Sequence, residues 1–286
     1  MNVRPPAVAG TFYPNNPERL RETVTGFLEA SISTLQHHSV ERGSGQAVSP
    51  QTRVPPPKAI IAPHAGYIYS GPIAASAYVP VIPLAGKIKR VLIFSPAHTI
   101  AVHGLATTSA QTFQTPLGDV GIDQNAIKLA LTLPQVQVLD AAHVREHGIE
   151  VHLPFLQEIA SDFSLVPFVV GHSSPEEVNE VIEALWGGVE TLIVISSDLS
   201  HFLTYEQAQQ LDGATCAAIE RLQPEAIQRD GACGRRPIQG LLLSAKRRNM
   251  SVVTLDLRNS GDTAGSKARV VGYGAWAFSE QVVSDY

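Results

Sequence analysis

The sequence predicts a single α/β domain over residues 1–286, with a largely parallel central sheet, helices on both faces and antiparallel strands at the edge. Three observations predict it. Four short runs, KAIIAP (58–63), KRVLIFSP (89–96), FSLVPFVVG (163–171) and TLIVISS (191–197), are almost continuously apolar. Strands of that kind are buried on both faces, as in a parallel sheet covered by helices. Helical segments alternate with them, which is the connection parallel strands require. The 286 residues, 44% of them hydrophobic and 16% charged, supply enough apolar material for one large core.

The elements follow in order. Asn16 can cap a first helix, Pro17 suits its first turn, and Leu20, Val24, Phe27, Leu28 and Leu35 recur at helical spacing. The segment His37 to Pro57 is polar, rich in Gly, Ser and Pro and without apolar period, so it reads as a long, flexible inserted loop. A strand over 58–63 comes next, then a turn and a helix over 72–78. The strand over 89–96 precedes a third candidate strand over 104–113 and a helix over 124–133. Residues 147–160 read as a helix disturbed by Pro154. The strand over 163–171, a helix over 175–186, the strand over 191–197 and a helix over 204–221 continue the alternation. A helix over 238–248 precedes two closing strands, 251–257 and 268–278, which suit an antiparallel edge.

Composition narrows the function. Net charge is −5, with no basic stripe of the kind that reads a nucleic-acid backbone. The apolar runs are strand-sized, so neither a leader nor a membrane span is expected. Two cysteines, Cys216 and Cys233, are too few for a disulfide framework, and a reducing cytoplasmic setting is expected. There is no Walker loop, no GxGxxG and no GxSxG, which removes support for nucleotide-dependent and α/β-hydrolase chemistry.

Reactive side chains gather where the strands end. The first strand runs into His64, the second into His98, the third into His172, and the fourth into Asp198 with His201 three residues on. Ligands of open parallel sheets bind beyond these carboxyl ends, where loops converge. Neutral imidazole suits zinc, iron or copper. Cys233 is followed by Arg235 and Arg236 and then a helix start, a setting that favours the thiolate. Cys216, in an alanine-rich helix, reads as a small buried thiol. The segment REHGIEVHLPF brings Glu146, His147, Glu150 and His152 together. On a helix His147 and Glu150 would share a face, but neither HEXXH nor HXXEH is present.

These motifs resemble a known family. APHAGYIYSG (62–71), SPAH (95–98), EHGIEVHLPF (146–155), SSDLSH (196–201) and CGRRPI (233–238) resemble, in order, the diagnostic blocks of the Memo-like family, whose prokaryotic members are called AmmeMemoRadiSam system protein B. PAVAGTFYP (6–14) is similar to the family's opening. The resemblance implies a fold like that of class III extradiol dioxygenases and a pocket with His64, His98 and Cys233 as metal ligands. Asp198 and His201 would be its catalytic groups, with Glu146, His147 and Arg235 in the pocket wall. It implies a divalent metal, iron foremost, with copper or zinc as alternatives. By family association it implies AMMECR1-like and radical-SAM proteins as partners. This chain carries Thr99 and Arg236 where animal members carry histidine.

Several functions follow from such a pocket. One is a metal-dependent redox enzyme, with His201 as general base and Asp198 orienting it. A second is a binding or scaffold protein with a vestigial pocket, rimmed by imidazoles and Arg235, that accepts a small molecule or an anionic peptide. A third is a zinc hydrolase, since two histidines, a cysteine and a water form an acceptable catalytic zinc set. A metal-free thiol nucleophile requires the same groups within bonding reach, so it stands beside them.

Overall fold

The structure, a computed structural model, describes residues 2–40, 55–160 and 162–280. Its strands are β1 (Val3–Arg4), β2 (Ala59–Ala62), β3 (Arg90–Pro96), β4 (Leu105–Thr107), β5 (Thr112–Thr115), β6 (Gly118–Gly121), β7 (Val136–Val138), β8 (Ser164–Val170), β9 (Thr191–Ser196), β10 (His201–Leu203), β11 (Ser251–Asn259) and β12 (Val270–Ser279). Its α-helices are α1 (Pro17–Val40), α2 (Tyr67–Tyr78), α3 (Gln124–Ala130), α4 (Ala141–Val144), α5 (Leu153–Ile159), α6 (Pro175–Ala184), α7 (Tyr205–Glu220) and α8 (Arg235–Arg247).

The four apolar runs are neighbours in one nine-stranded sheet, in the order β10-β12-β2-β9-β3-β8-β4-β7, with β11 also paired to β12. The pairs β2–β9, β9–β3 and β3–β8 are parallel. Their carboxyl ends therefore lie along one edge. Every residue of β2 and β9 is buried, as expected of strands covered on both faces. Phe94 of β3 and Phe168 of β8 are register partners whose rings stack 4.9 Å apart. The closing strands are antiparallel as expected: β12 pairs with β2 through Trp276 and Ile61, and with β11 along most of its length. Helices surround this sheet: α8 lies over β3 and β9 with α6 against it, while α2 lies against β2, β11 and β12 with α1 beyond it.

Several local expectations differ from what is observed. Helix α1 begins at its predicted cap, where Asn16 Oδ1 accepts the Arg19 N–H at 2.9 Å, and it buries Leu20, Val24 and Leu28. It runs to Val40, so residues 37–40 of the predicted loop are helical, while residues 41–54 and the side chain of Leu35 lie outside the described residues. Helix α2 starts at Tyr67, before Pro72, and Gly71 lets Phe27 of α1 pack close against it; a Cβ there would meet the ring at 2.4 Å. The predicted strand over 104–113 is two strands in different sheets. Between them Asp140 accepts from Thr108 Oγ1, Ser109 N and Ser109 Oγ at 2.6–2.7 Å, which bends the chain out of the main sheet. Strand β5 instead joins β1 and β6 in a three-stranded sheet.

The segment at 147–160 is not one helix. Residues 145–149 are irregular, a short 3₁₀ turn covers Glu150–His152, and α5 begins at Leu153. Pro154 sits in the first turn of α5, where no N–H is needed, so it starts the helix rather than disturbing it. Glu150 is wholly buried. Its carboxylate pairs with Arg4 and accepts Ala7 N at 2.7 Å, Val8 N at 3.0 Å and Tyr13 Oη at 2.5 Å. This holds the N-terminal segment against the end of the sheet.

Candidate metal centre

His64, just past β2, is almost wholly buried. Its backbone N–H donates to Asp198 Oδ1 at 2.8 Å. Its Nδ1 lies 2.6 Å from Ser196 Oγ, whose hydroxyl donates to the Gly148 carbonyl at 2.5 Å. Because that hydroxyl proton is committed to Gly148, the oxygen accepts from His64 Nδ1–H. The network thus assigns the tautomer and leaves Nε2 as the acceptor nitrogen, with the Cys233 thiol 3.4 Å away.

His98, past β3, is fixed by the same logic. Glu146 accepts its backbone N–H at 2.8 Å and its Nδ1–H at 2.7 Å, and also the Gly148 N–H at 3.0 Å. Burial pushes the Glu146 carboxyl up, but the hydrogen bonds from His98 and Gly148 outweigh it and hold the group below the usual carboxylate range. Such a carboxylate–imidazole pair orients a ligand and raises its basicity. Gly148 must lack a side chain, since a Cβ would lie 2.1 Å from Ser95 Oγ at the end of β3.

His147 completes the group. One ring nitrogen from each of His64, His98 and His147 lies within 4.8 Å of the others. The His98 and His147 rings are 4.6 Å apart, and the N-terminal Phe12 covers His147 at 4.8 Å. Burial, and then the neighbouring His98, lower His147 to about 4. Burial likewise holds His64 well below the ordinary imidazole range, with His98 and His147 adding to it. Near neutral pH both rings are uncharged, the form in which imidazole binds a metal. The donor set therefore fits a divalent transition metal.

A family model described as Memo-like protein matches residues 4–277. The chain belongs to the Memo-like family. Relatives named MEMO1 family protein include one from Aeropyrum pernix, 34% identical over 288 residues, covering 96% of this chain and 99% of that protein. Another, from Ignicoccus hospitalis, is 35% identical over 295 residues, covering 97% and 99%. A third, from Aquifex aeolicus, is 34% identical over 288 residues, covering 96% and 98%. Among the described residues of this Memo-like chain, no helix is long and apolar enough to cross a membrane.

The Memo-like pattern placed Cys233 as third ligand and His147 in the pocket wall. Here His147 joins the two imidazoles, and the Cys233 thiol stands 3.4 Å from His64 Nε2. Cys233 is clasped to Asp198 by paired bonds: its N–H donates to Asp198 O, and the Asp198 N–H donates to its sulfur, each at 3.2 Å. The expected thiolate bias is not what this environment gives. Desolvation, and then the Asp198 carboxylate, push the thiol up to about 12, and that carboxylate, not the following arginines, is the charge it meets. Asp198 is itself raised to about 6 by burial, against the bond it accepts from His64. His201 is exposed, and its Nδ1–H donates to Leu199 O at 2.9 Å, leaving Nε2 as acceptor. Arg235 is half-buried at the start of α8, beside Arg236 and Asp230. His172 stands apart, its ring 6.3 Å from His103.

Ser196, Gly148 and Phe12 sit in motifs the sequence reading quoted, yet it gave them no role. A serine at the last position of an apolar strand is the one signal that points to Ser196.

Proposed function

We propose that this protein is a metal-dependent oxidoreductase holding a divalent ion, iron foremost, on His64, His98 and His147 beside Cys233. The observation that supports the reading is the convergence of three imidazole nitrogens within 4.8 Å, with Ser196 and Glu146 holding Nδ1 of His64 and His98. When bound, a transition ion would supply Lewis acidity and an open coordination position. The chain's own groups do the rest. Glu146 and Ser196 orient the donor rings. Asp198, raised to about 6, accepts the His64 N–H at Oδ1, which leaves Oδ2 as the oxygen that can take up a proton. The free Nε2 of His201 can take one at the rim. Three converging imidazoles also match a catalytic zinc set, which favours a zinc hydrolase as the second reading.

Elemental analysis of untagged protein purified without oxygen tests this. About one metal per chain is expected, with large loss in His64→Ala and in His98→Ala. Equal content in the variants removes the reading, and zinc found where iron is expected selects the second one.

A further inference from the structure

Beyond the carboxyl ends of β3 and β8 lies an open cavity of about 380 Å³. Pro96, Ile100, Val102 and Pro237 make much of its wall apolar, His103 and His172 line it as well, and Cys233 and Arg236 stand at the start of α8. Among the described residues no carboxylate lines it. Among the described residues the Arg236 guanidinium makes one side-chain bond, from Nη1 to Gln239 Oε1 at 3.2 Å, and pairs with no acid. Helix α8 opens at Arg235 with no side chain capping its first N–H groups, which adds to the positive potential there.

The position of Cys233 ties this cavity to the imidazole cluster. The residue lines the cavity, and its sulfur lies 3.4 Å from His64 Nε2. A molecule seated against Cys233 is one side chain away from the proposed metal ligands.

We propose that this cavity is the substrate pocket of that site, and that it takes a small organic carboxylate: the anionic group pairs with Arg236 and the apolar body lies along Ile100 and Val102 towards Cys233. The proposal rests on the metal-centre reading for its reaction but not for its binding. An arginine fork matches a carboxylate with two parallel hydrogen bonds. The apolar wall is what selects an organic anion over inorganic phosphate, which would leave it uncovered.

The test is a calorimetric and NMR titration of the full-length protein with benzoate and hexanoate, with benzamide, hexanamide and inorganic phosphate as controls. Both carboxylates are expected to bind saturably and the controls at least roughly tenfold more weakly, the scale of one charge-assisted pair. Arg236→Gln should weaken the carboxylates by a similar factor while keeping the wild-type metal content. Ala101→Phe, at an exposed position on the lining, should block them by filling the space. His98→Ala, which removes a proposed metal ligand, should leave their binding within about twofold, because the anion is held by Arg236. Carboxylate binding that survives Arg236→Gln and is lost in His98→Ala places the anion on the imidazole cluster and overturns the proposal. So does the absence of saturable binding at millimolar concentration. Loss of metal reading without loss of carboxylate binding tells against the metal centre alone.

Discussion

Glu146 grips His98 twice, accepting its backbone N–H at 2.8 Å and its Nδ1–H at 2.7 Å. One carboxylate thereby fixes both where the ring sits and which nitrogen carries its proton. In Glu146→Gln the amide nitrogen must face one of these N–H donors, or that of Gly148, so at least one bond becomes a repulsion. Metal affinity should fall roughly 10–100-fold, the usual effect of removing an orienting partner. Competition titration with a chromophoric chelator reads this, and unchanged affinity would show that the pair orients nothing.

The identity of the third donor is a direct contest between two neighbours. His147 offers a neutral nitrogen inside the 4.8 Å group, while Cys233 offers a thiol pushed up to about 12 that must lose its proton to bind. His147→Ala should therefore reduce metal content more than Cys233→Ser at neutral pH. The reverse order would return the thiol to the ligand set.

How far the sequence reached depends on how local the cause was. The strands β2, β3, β8 and β9 were legible because burial on both faces writes itself into every residue of the run. His64, His98 and Asp198 were legible because they follow those strands directly. His147 was read as a pocket residue, and its place beside His64 and His98 was not legible, because it occupies an irregular loop in which Gly148 packs on Ser95. Glu150 was grouped with Glu146, His147 and His152, and its burial was not legible. Its partners, Arg4 and Tyr13, come from the far N-terminus, and no window around Glu150 contains them. Strands such as β1, β7 and β10, of two or three residues, are too short to show a period.

That buried carboxylate carries its own expectation. Glu150→Ala strands the Arg4 guanidinium, which is 6% exposed, without its anion, and frees the N–H groups of Ala7 and Val8. The loss should be about 3–5 kcal/mol, the range for breaking one side of a buried pair. Because the same segment carries Phe12 over His147, the variant should also expose the cluster. Urea unfolding measures the first effect, and a stability change below about 1 kcal/mol would contradict it.

Acid should destabilise the protein through His143. This ring is 1% exposed, its Nε2–H donates to Ala106 O at 3.2 Å, and its Nδ1 has no partner among the described residues. Burial, and then the nearby Arg4 charge, lower it from 6.5 to about 4. Above pH 6.5 the ring is neutral in both the folded and unfolded chain, so it contributes no slope. Between pH 6.5 and 4 the unfolded chain binds a proton that the folded chain refuses, and stability falls by up to about 1.4 kcal/mol per pH unit. His152, buried beside the Tyr78 hydroxyl and lowered to about 3, acts in the same direction. His143→Gln keeps a donor for Ala106 but cannot titrate. Its unfolding free energy, measured in urea from pH 7 to 4.5, should decline less steeply than that of the wild type, the difference growing as pH falls. Parallel lines across that window would mean that His143 takes up its proton without unfolding.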